Sequence, residues 1–284
     1  MEPMDDKRQE AIMMTDAQRY LFDMMGYLHL EQALTRTELK SAQQAINRYV
    51  NASDDELPEG FGRSTSLFDK NRTQFKYAFA FDKVLEALVF HRSFWPIVLE
   101  VSGRRPRLNS GEVRINTAKD PVHRLHCSRE SFGRYSCRYS CDDGKIYCDD
   151  LVVFIYLTDV LPGDGGLLLV PGSHKSDFKR PPDVFNDGWI EKDVPPGVAN
   201  ITARAGDIVV TTELMTHGAM AWQPKDRDRR FFILRYRPQY HRQIREFPDS
   251  VLARLSPETR ELIETQSYTY EKEIVKKDYV TLTI

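Results

Sequence analysis

Along the first hundred residues apolar side chains recur every three to four positions; beyond them they come in short unbroken runs. In "TDAQRYLFDMMGY" (15–27), Leu21, Phe22 and Met25 share one helical face. Thr15 followed by Gln18 has capping-box spacing, and Gly26 supplies a stop. "TRTELKSAQQAINRYV" (35–50) repeats the device with Thr35 and Glu38, ahead of a face of Leu39, Ala42, Ile46 and Tyr49. "DKVLEALVFHRSFWPIVLEVSG" (82–103) predicts a further helical segment, interrupted at Pro96 and closed by Gly103.

Past about residue 110 the texture is that of strands. "LVVFIYLTDV" (151–160) is β-branched, aromatic and apolar throughout, as a strand covered on both faces must be. "PGDGG" (162–166) is turn chemistry, and "LLLV" (167–170), "ARAGDIVVTT" (203–212) and "RRFFILRYRP" (229–238) supply further strands. Short strands divided by Gly/Pro turns predict a sandwich or barrel. "SPETRELIETQ" (256–266) returns to helix, with Ser256 as N-cap and Pro257 in the first turn. The expected organisation is one domain over 1–284: a helical part to about 103, a mainly β core over about 104–240, and a helical tail over 241–284.

With 284 residues the chain can bury a full core, and 41% hydrophobic with 29% charged residues is the balance of a globular protein. A formal charge of −2 gives no basic footprint for nucleic acid, and "GRRPR" (103–107) is too short to change that. No apolar run reaches the length of a membrane span, and the N-terminus lacks the basic-then-apolar order of a secretory signal. A cytoplasmic protein is expected; its oligomeric state is not legible. Cys127, Cys137, Cys141 and Cys148 cluster, but without two close doublets they read as reduced thiols rather than a zinc site.

The chemistry gathers around histidines. Of seven, His123, His126, His174 and His217 lie in the β region. Neither a P-loop nor a G-x-S-x-G elbow occurs. Taken in order, "IYLTDVLPGDGGLLLVPGSHKSDF" (155–178), "AGDIVVTTELMTHGAMAW" (205–222) and "RRFFILRYRP" resemble the phytanoyl-CoA dioxygenase-like family of iron(II)/2-oxoglutarate oxygenases. "DMMGYLHLEQALTRTELKSAQ" (23–43) is similar to that family's opening, so the resemblance spans nearly the whole chain.

The resemblance implies a double-stranded β-helix, or jelly roll, that holds Fe(II), takes 2-oxoglutarate and O2, and oxidises a small molecule. A metal that must leave room for a bidentate 2-oxo acid and O2 has three positions for protein, commonly two His and a carboxylate. Carried over, the distal ligand is His217 and the proximal one His126, with His123 close by and of opposite strand parity. Arg229 would clamp the far carboxylate of 2-oxoglutarate with its fork, with Arg230 as the fallback. Arg114 and Asn116 on the preceding strand could touch the same molecule. His174 of "PGSHK" holds a loop in this family and is left out.

The departure lies in "RLHCSRE" (124–130). Where the family has His-x-Asp, this chain has His126-Cys127-Ser128. Three readings compete: another carboxylate replaces the acid, Glu213 ahead of Glu130; a halide fills the place, as in related halogenases; or the protein binds without catalysing. As an alternative to a ligand role, Glu213 could be an ion-pair partner of Arg229. The Arg- and Tyr-rich 128–147 segment, with Arg129, Arg134 and Arg138, predicts a lid or wall for a polar or anionic substrate.

Overall fold

The computed structural model describes residues 13–65, 73–132, 138–181, 183–185, 193–241, 246–267 and 280–282. Helices α1 (Asp16–Met25) and α2 (Arg36–Asn51) form where the periodicity places them, each closed at its N-terminus by the capping box on Thr15 or Thr35. Gly26 ends α1 with a left-handed φ of 80°. The chain between and after them departs from an all-helical reading, with strand β1 (Leu28–Leu30) and the hairpin strands β2 (Arg63–Thr65) and β3 (Thr73–Phe75). These short strands extend sheet edges, so tertiary pairing overrides local preference.

The stretch 82–103 is also several pieces rather than one helix. After α3 (Ala78–Phe81) come α4 (Lys83–Ala87), a 3₁₀ turn and α5 (Trp95–Val101). Pro96 lies in the first turn of α5, where its missing N–H would have no helical partner, so it begins a helix instead of breaking one.

The β core follows as β4 (Pro106–Asn116), β5 (His123–His126), helix α6 (Ser128–Phe132), then β6 (Tyr139–Asp142) and β7 (Lys145–Cys148). Strands β8 (Leu151–Tyr156), β9 (Gly166–Leu169), β10 (Ala199–Asn200), β11 (Ile208–Thr212), β12 (His217–Met220) and β13 (Arg229–Pro238) complete it. Helices α7 (Asp249–Leu252) and α8 (Pro257–Ile263) close the described chain. Seven strands form one sheet, β1-β11-β8-β13-β4-β3-β2, and four form another, β10-β9-β12-β5. The sheets stay separate, giving the two-layered arrangement of a jelly roll without a closed barrel.

Strand alternation explains the layers. On β8 and β13, Leu151, Val153, Ile155, Phe232, Leu234 and Tyr236 face the helices and join the larger apolar cluster. Their neighbours Val152, Phe154, Tyr156, Phe231 and Ile233 face the other way and meet Leu167 and Leu169 of the smaller sheet. All six β8 residues are therefore buried. The polar residues of interest lie on this same inward face of β13 and β4, around the second cluster.

Candidate metal centre

His126 ends β5 and His217 begins β12, and the antiparallel register sets them directly opposite one another, with His217 also opposite Leu169 of β9. Their rings therefore share the side that looks into the sandwich, with centroids 4.3 Å apart. Each ring is oriented by its own main chain. His126 Nδ1 lies 2.9 Å from the Arg124 carbonyl and His217 Nδ1 lies 2.7 Å from that of Met215. A carbonyl can only accept, so both Nδ1 atoms carry hydrogen, and each ring in its neutral form offers its Nε2 lone pair.

Between β11 and β12, Glu213 brings its Oε2 to 3.4 Å from His217 Nε2. Donor atoms of His126, Glu213 and His217 all lie within 4.8 Å of one another, the one such group among the described residues. Two imidazoles and a carboxylate converging in this way suit a divalent first-row metal with open positions. Burial pushes Glu213 toward its neutral form, but the Arg235 guanidinium outweighs it, any protonated imidazole adding to the effect, and holds the carboxyl below the usual carboxylate range. It is thus an anion at neutral pH, as a metal ligand must be.

Ser128, where the family's acid would stand, is buried, and its backbone N–H donates to the Glu213 carbonyl at 2.7 Å. Residues 128 and 213 are main-chain neighbours, and the carboxylate among the three converging donors is that of the second. Glu130 instead faces Arg180, 3.8 Å away. The cation partnered with Glu213 is Arg235, Nε to Oε1 at 3.0 Å, and not Arg229.

Arg229 opens β13 opposite Asn116 of β4, its side chain 3% exposed. Its Nε is buried without a hydrogen-bond partner, and its contact with Asn116 Oδ1 is long at 3.4 Å. The guanidinium lies over the Phe231 ring at 4.3 Å and near that of Tyr156 at 5.7 Å. Gly166 lies beside it with a φ of +90°, a backbone conformation that favours glycine, and a Cβ there would stand at contact distance, 3.4 Å, from Arg229 Cζ. A buried guanidinium with donors to spare suits a ligand carboxylate.

Arg230 points the opposite way, as alternation requires, bonded to Asp228 and to Asn47 of α2. The fallback clamp is thereby corrected. Arg114 shares the inward face with Asn116, but its guanidinium is held by Glu112. His123 sets its ring edge-on to His126 at 4.5 Å and does not enter the three-residue group.

Two residues escaped the sequence reading. Tyr156 is fully buried, and its hydroxyl has no hydrogen-bond partner beside the Arg229 guanidinium. Arg235 holds the acid. Arg235 could have been found by counting in twos along the strand from Arg229; Tyr156, on β8, carries no such signal in the sequence.

A cavity of about 450 Å³ is lined among others by Cys127 and Thr216, each next in the chain to a candidate ligand, and by Arg129, Arg180, Val170 and Phe185; Val170 and Phe185 belong to the third apolar cluster with Leu125 and Leu168, on the face of the smaller sheet turned away from the three converging donors. Arg129, one of the three arginines of the expected wall, lines this cavity and is bonded to the Ser176 carbonyl. Arg138 lies over Tyr147, and Arg134 falls outside the described residues. Cys127 and Cys148 are buried and Cys141 exposed; Cys137 also lies outside the described residues. Among the described residues no helix is long and apolar enough to cross a membrane.

A family model described as phytanoyl-CoA dioxygenase matches residues 22–231. No curated protein matches the sequence. Among solved structures, HygX from Streptomyces hygroscopicus with nickel, 2-oxoglutarate and hygromycin B bound superposes with a TM-score of 0.67 at 22% identity, covering 82% of this chain and 91% of that one. The non-heme alpha ketoglutarate dependent carbocyclase SnoK from nogalamycin biosynthesis gives 0.61 at 22% identity, covering 87% and 93%. EctD from S. alaskensis with 2-oxoglutarate and 5-hydroxyectoine gives 0.61 at 17%, covering 81% and 78%. These likenesses establish a common fold.

Proposed function

The chain belongs to the phytanoyl-CoA dioxygenase family, and from that premise we propose that it is an iron(II)/2-oxoglutarate-dependent oxygenase that oxidises a small molecule, with a His126–Glu213–His217 centre. The carrying observation is the convergence of those three donor sets within 4.8 Å, both imidazoles tied through Nδ1. Bound iron(II), with 2-oxoglutarate and O2, supplies the oxidising power for converting C–H to C–OH or a related product.

The chain's own groups have distinct tasks. His126 and His217 would hold the metal through Nε2, and Glu213 through Oε2. Arg229, with a spare buried donor, would take the far carboxylate of 2-oxoglutarate in a charge-assisted contact. Tyr156 would add a neutral donor to the same carboxylate: burial pushes its phenol up, and nearby Arg229 only partly offsets this. The apolar inward faces of β8 and β13 would exclude water from that end. HygX and EctD, the latter with 5-hydroxyectoine bound, support a small polar substrate by analogy of fold.

Anaerobic titration of the metal-free protein with Fe(II) and then 2-oxoglutarate tests the reading. A weak visible charge-transfer band should appear and be lost in His217→Ala; a folded protein without the band would overturn the assignment. The halogenase reading, prompted by Ser128, requires an open coordination position beside His126. With Glu213 as the third ligand that position would be filled, so products formed in chloride should carry oxygen and no chlorine.

A further inference from the structure

Glutamate at 213 faces a difficulty that aspartate in a His-x-Asp motif avoids. In that motif the acid is two residues from its histidine, and a short side chain fixes where the oxygen falls. A glutamate has one more rotatable bond and sits on a different segment, so the backbone alone does not aim it. We propose that Arg235, itself braced by Glu112, is a positioning residue of the metal centre: it takes one oxygen of Glu213 and thereby presents the other to the metal. The inference rests on the reading of Glu213 as a ligand.

The two oxygens of Glu213 divide the work. Oε1 accepts from Arg235 Nε at 3.0 Å, while Oε2 lies 3.4 Å from His217 Nε2. Arg235 is not free to follow the glutamate, because its NH1 donates to Glu112 Oε1 at 3.2 Å. The same Glu112 oxygen accepts from Arg114 Nε at 3.0 Å and NH2 at 2.7 Å. Charges therefore alternate along Arg114, Glu112, Arg235 and Glu213, and the row ends at the imidazoles.

The alternation matters to a ligand. An arginine paired with Glu213 alone would draw the carboxylate's charge away from the metal. Sharing Arg235 with Glu112 leaves Glu213 anionic enough to bind, while the fork still fixes its direction. The backbone assists: β13 puts Arg235 opposite Val152 of β8 and Ser110 of β4, and the register shifts just after it, between Arg235 and Tyr236. Such bulges re-aim side chains beside active sites. A salt bridge that merely stabilised the fold would need no particular oxygen of Glu213 and no relation to the imidazoles.

The test measures Fe(II) affinity of the metal-free protein under anaerobic conditions, by competition with a chromophoric chelator, with melting temperature recorded beside it. Arg235→Met should weaken Fe(II) binding by about 10–100-fold, the usual effect of removing a group that orients a ligand. Arg235→Lys, which keeps the charge without the fork, should fall between Arg235→Met and the native protein, and it serves should the methionine variant not fold. The decisive background is Ser128→Asp with Glu213→Ala, which returns the acid to the chain position where the backbone aims it. There Arg235→Met and Arg235→Lys should change Fe(II) affinity by less than about threefold, against the 10–100-fold of the native background. Equal losses in both backgrounds, or unchanged affinity in the native one, would overturn the positioning role. If Glu213→Ala alone leaves Fe(II) affinity intact, the ligand assignment itself fails.

Discussion

Replacing Arg229 with methionine should move stability and cosubstrate binding in opposite directions. The side chain is 3% exposed, has a buried Nε without a partner, and has no ion-paired carboxylate among the described residues. A buried charge so placed is held against its desolvation penalty, and exchanging buried charge for an apolar group of similar volume commonly stabilises by about 1–4 kcal/mol. Against this stands the loss of cation–π contact with Phe231 at 4.3 Å, worth roughly 0.5–2 kcal/mol. Taken at mid-range, the difference favours the variant by about 1 kcal/mol without cosubstrate. At roughly 2–4 °C per kcal/mol, the variant should melt a few degrees above the native protein. With the metal bound and 2-oxoglutarate at about a hundred times its Kd, the native protein gains about 2.7 kcal/mol. The variant forfeits a charge-assisted contact of about 1.5–3 kcal/mol, so its affinity falls by one to two orders of magnitude and most of that gain disappears. The order of melting temperatures should therefore cross over on adding 2-oxoglutarate. Differential scanning calorimetry with Mn(II), with and without 2-oxoglutarate, reads both arms. A variant that melts lower without cosubstrate yet shows the full ligand shift would mean that Arg229 braces the fold.

Tyr156→Phe removes a hydroxyl that has no partner; it should leave the metal-bound melting temperature within about a degree and weaken 2-oxoglutarate binding several-fold by calorimetric titration, and unchanged affinity would remove Tyr156 from the pocket. Gly166→Ala places a Cβ at φ +90° and 3.4 Å from Arg229 Cζ; it should destabilise by more than about 1 kcal/mol in urea unfolding and raise the 2-oxoglutarate requirement. His174, fully buried with both ring nitrogens unpartnered, has its pKa pushed down to about 4 by burial, with Lys175 and Arg129 adding to the effect and Asp23 opposing it. The folded state therefore stays neutral at His174 while the unfolded chain protonates, so stability is full above about pH 6.5 and is lost as pH falls from there to about 4. Relative to His174→Leu, the native protein should lose up to about 3 kcal/mol across that window, and parallel pH profiles would show that His174 does not titrate as described.

What the sequence disclosed follows from which forces are local. The capping boxes of α1 and α2 and the unbroken apolar run of β8 are set by neighbours in the chain, and each forms where its pattern lies. Strands β1 to β3 were hidden because a three-residue strand exists only through the sheet edge that accepts it. Pro96 was read as an interruption because the pattern does not tell a first turn from a middle one. In the site, Glu213 was visible as an acid four residues before His217, but its true cation was not. Arg229 and Arg235 lie on the same face of one strand, and only the packing of β4 against β13 decides which of them meets the glutamate. Arg230 was separable from Arg229 by strand parity once the register was known.

The Ser128 N–H bond to the Glu213 carbonyl has a consequence for descent. Two positions far apart in the chain are a single hydrogen bond apart in space, so under the proposed ligand set an acid at either would stand beside the same two imidazoles. An ancestor with acids at both would have kept a working centre while the older one eroded to serine. A search for the linear His-x-Asp signature scores such a lineage as having lost its metal; a search by spatial neighbourhood retains it. If Glu213 is the ligand, the residue at the β11–β12 turn, rather than the missing aspartate, is what would separate a migrated centre from a vacated one.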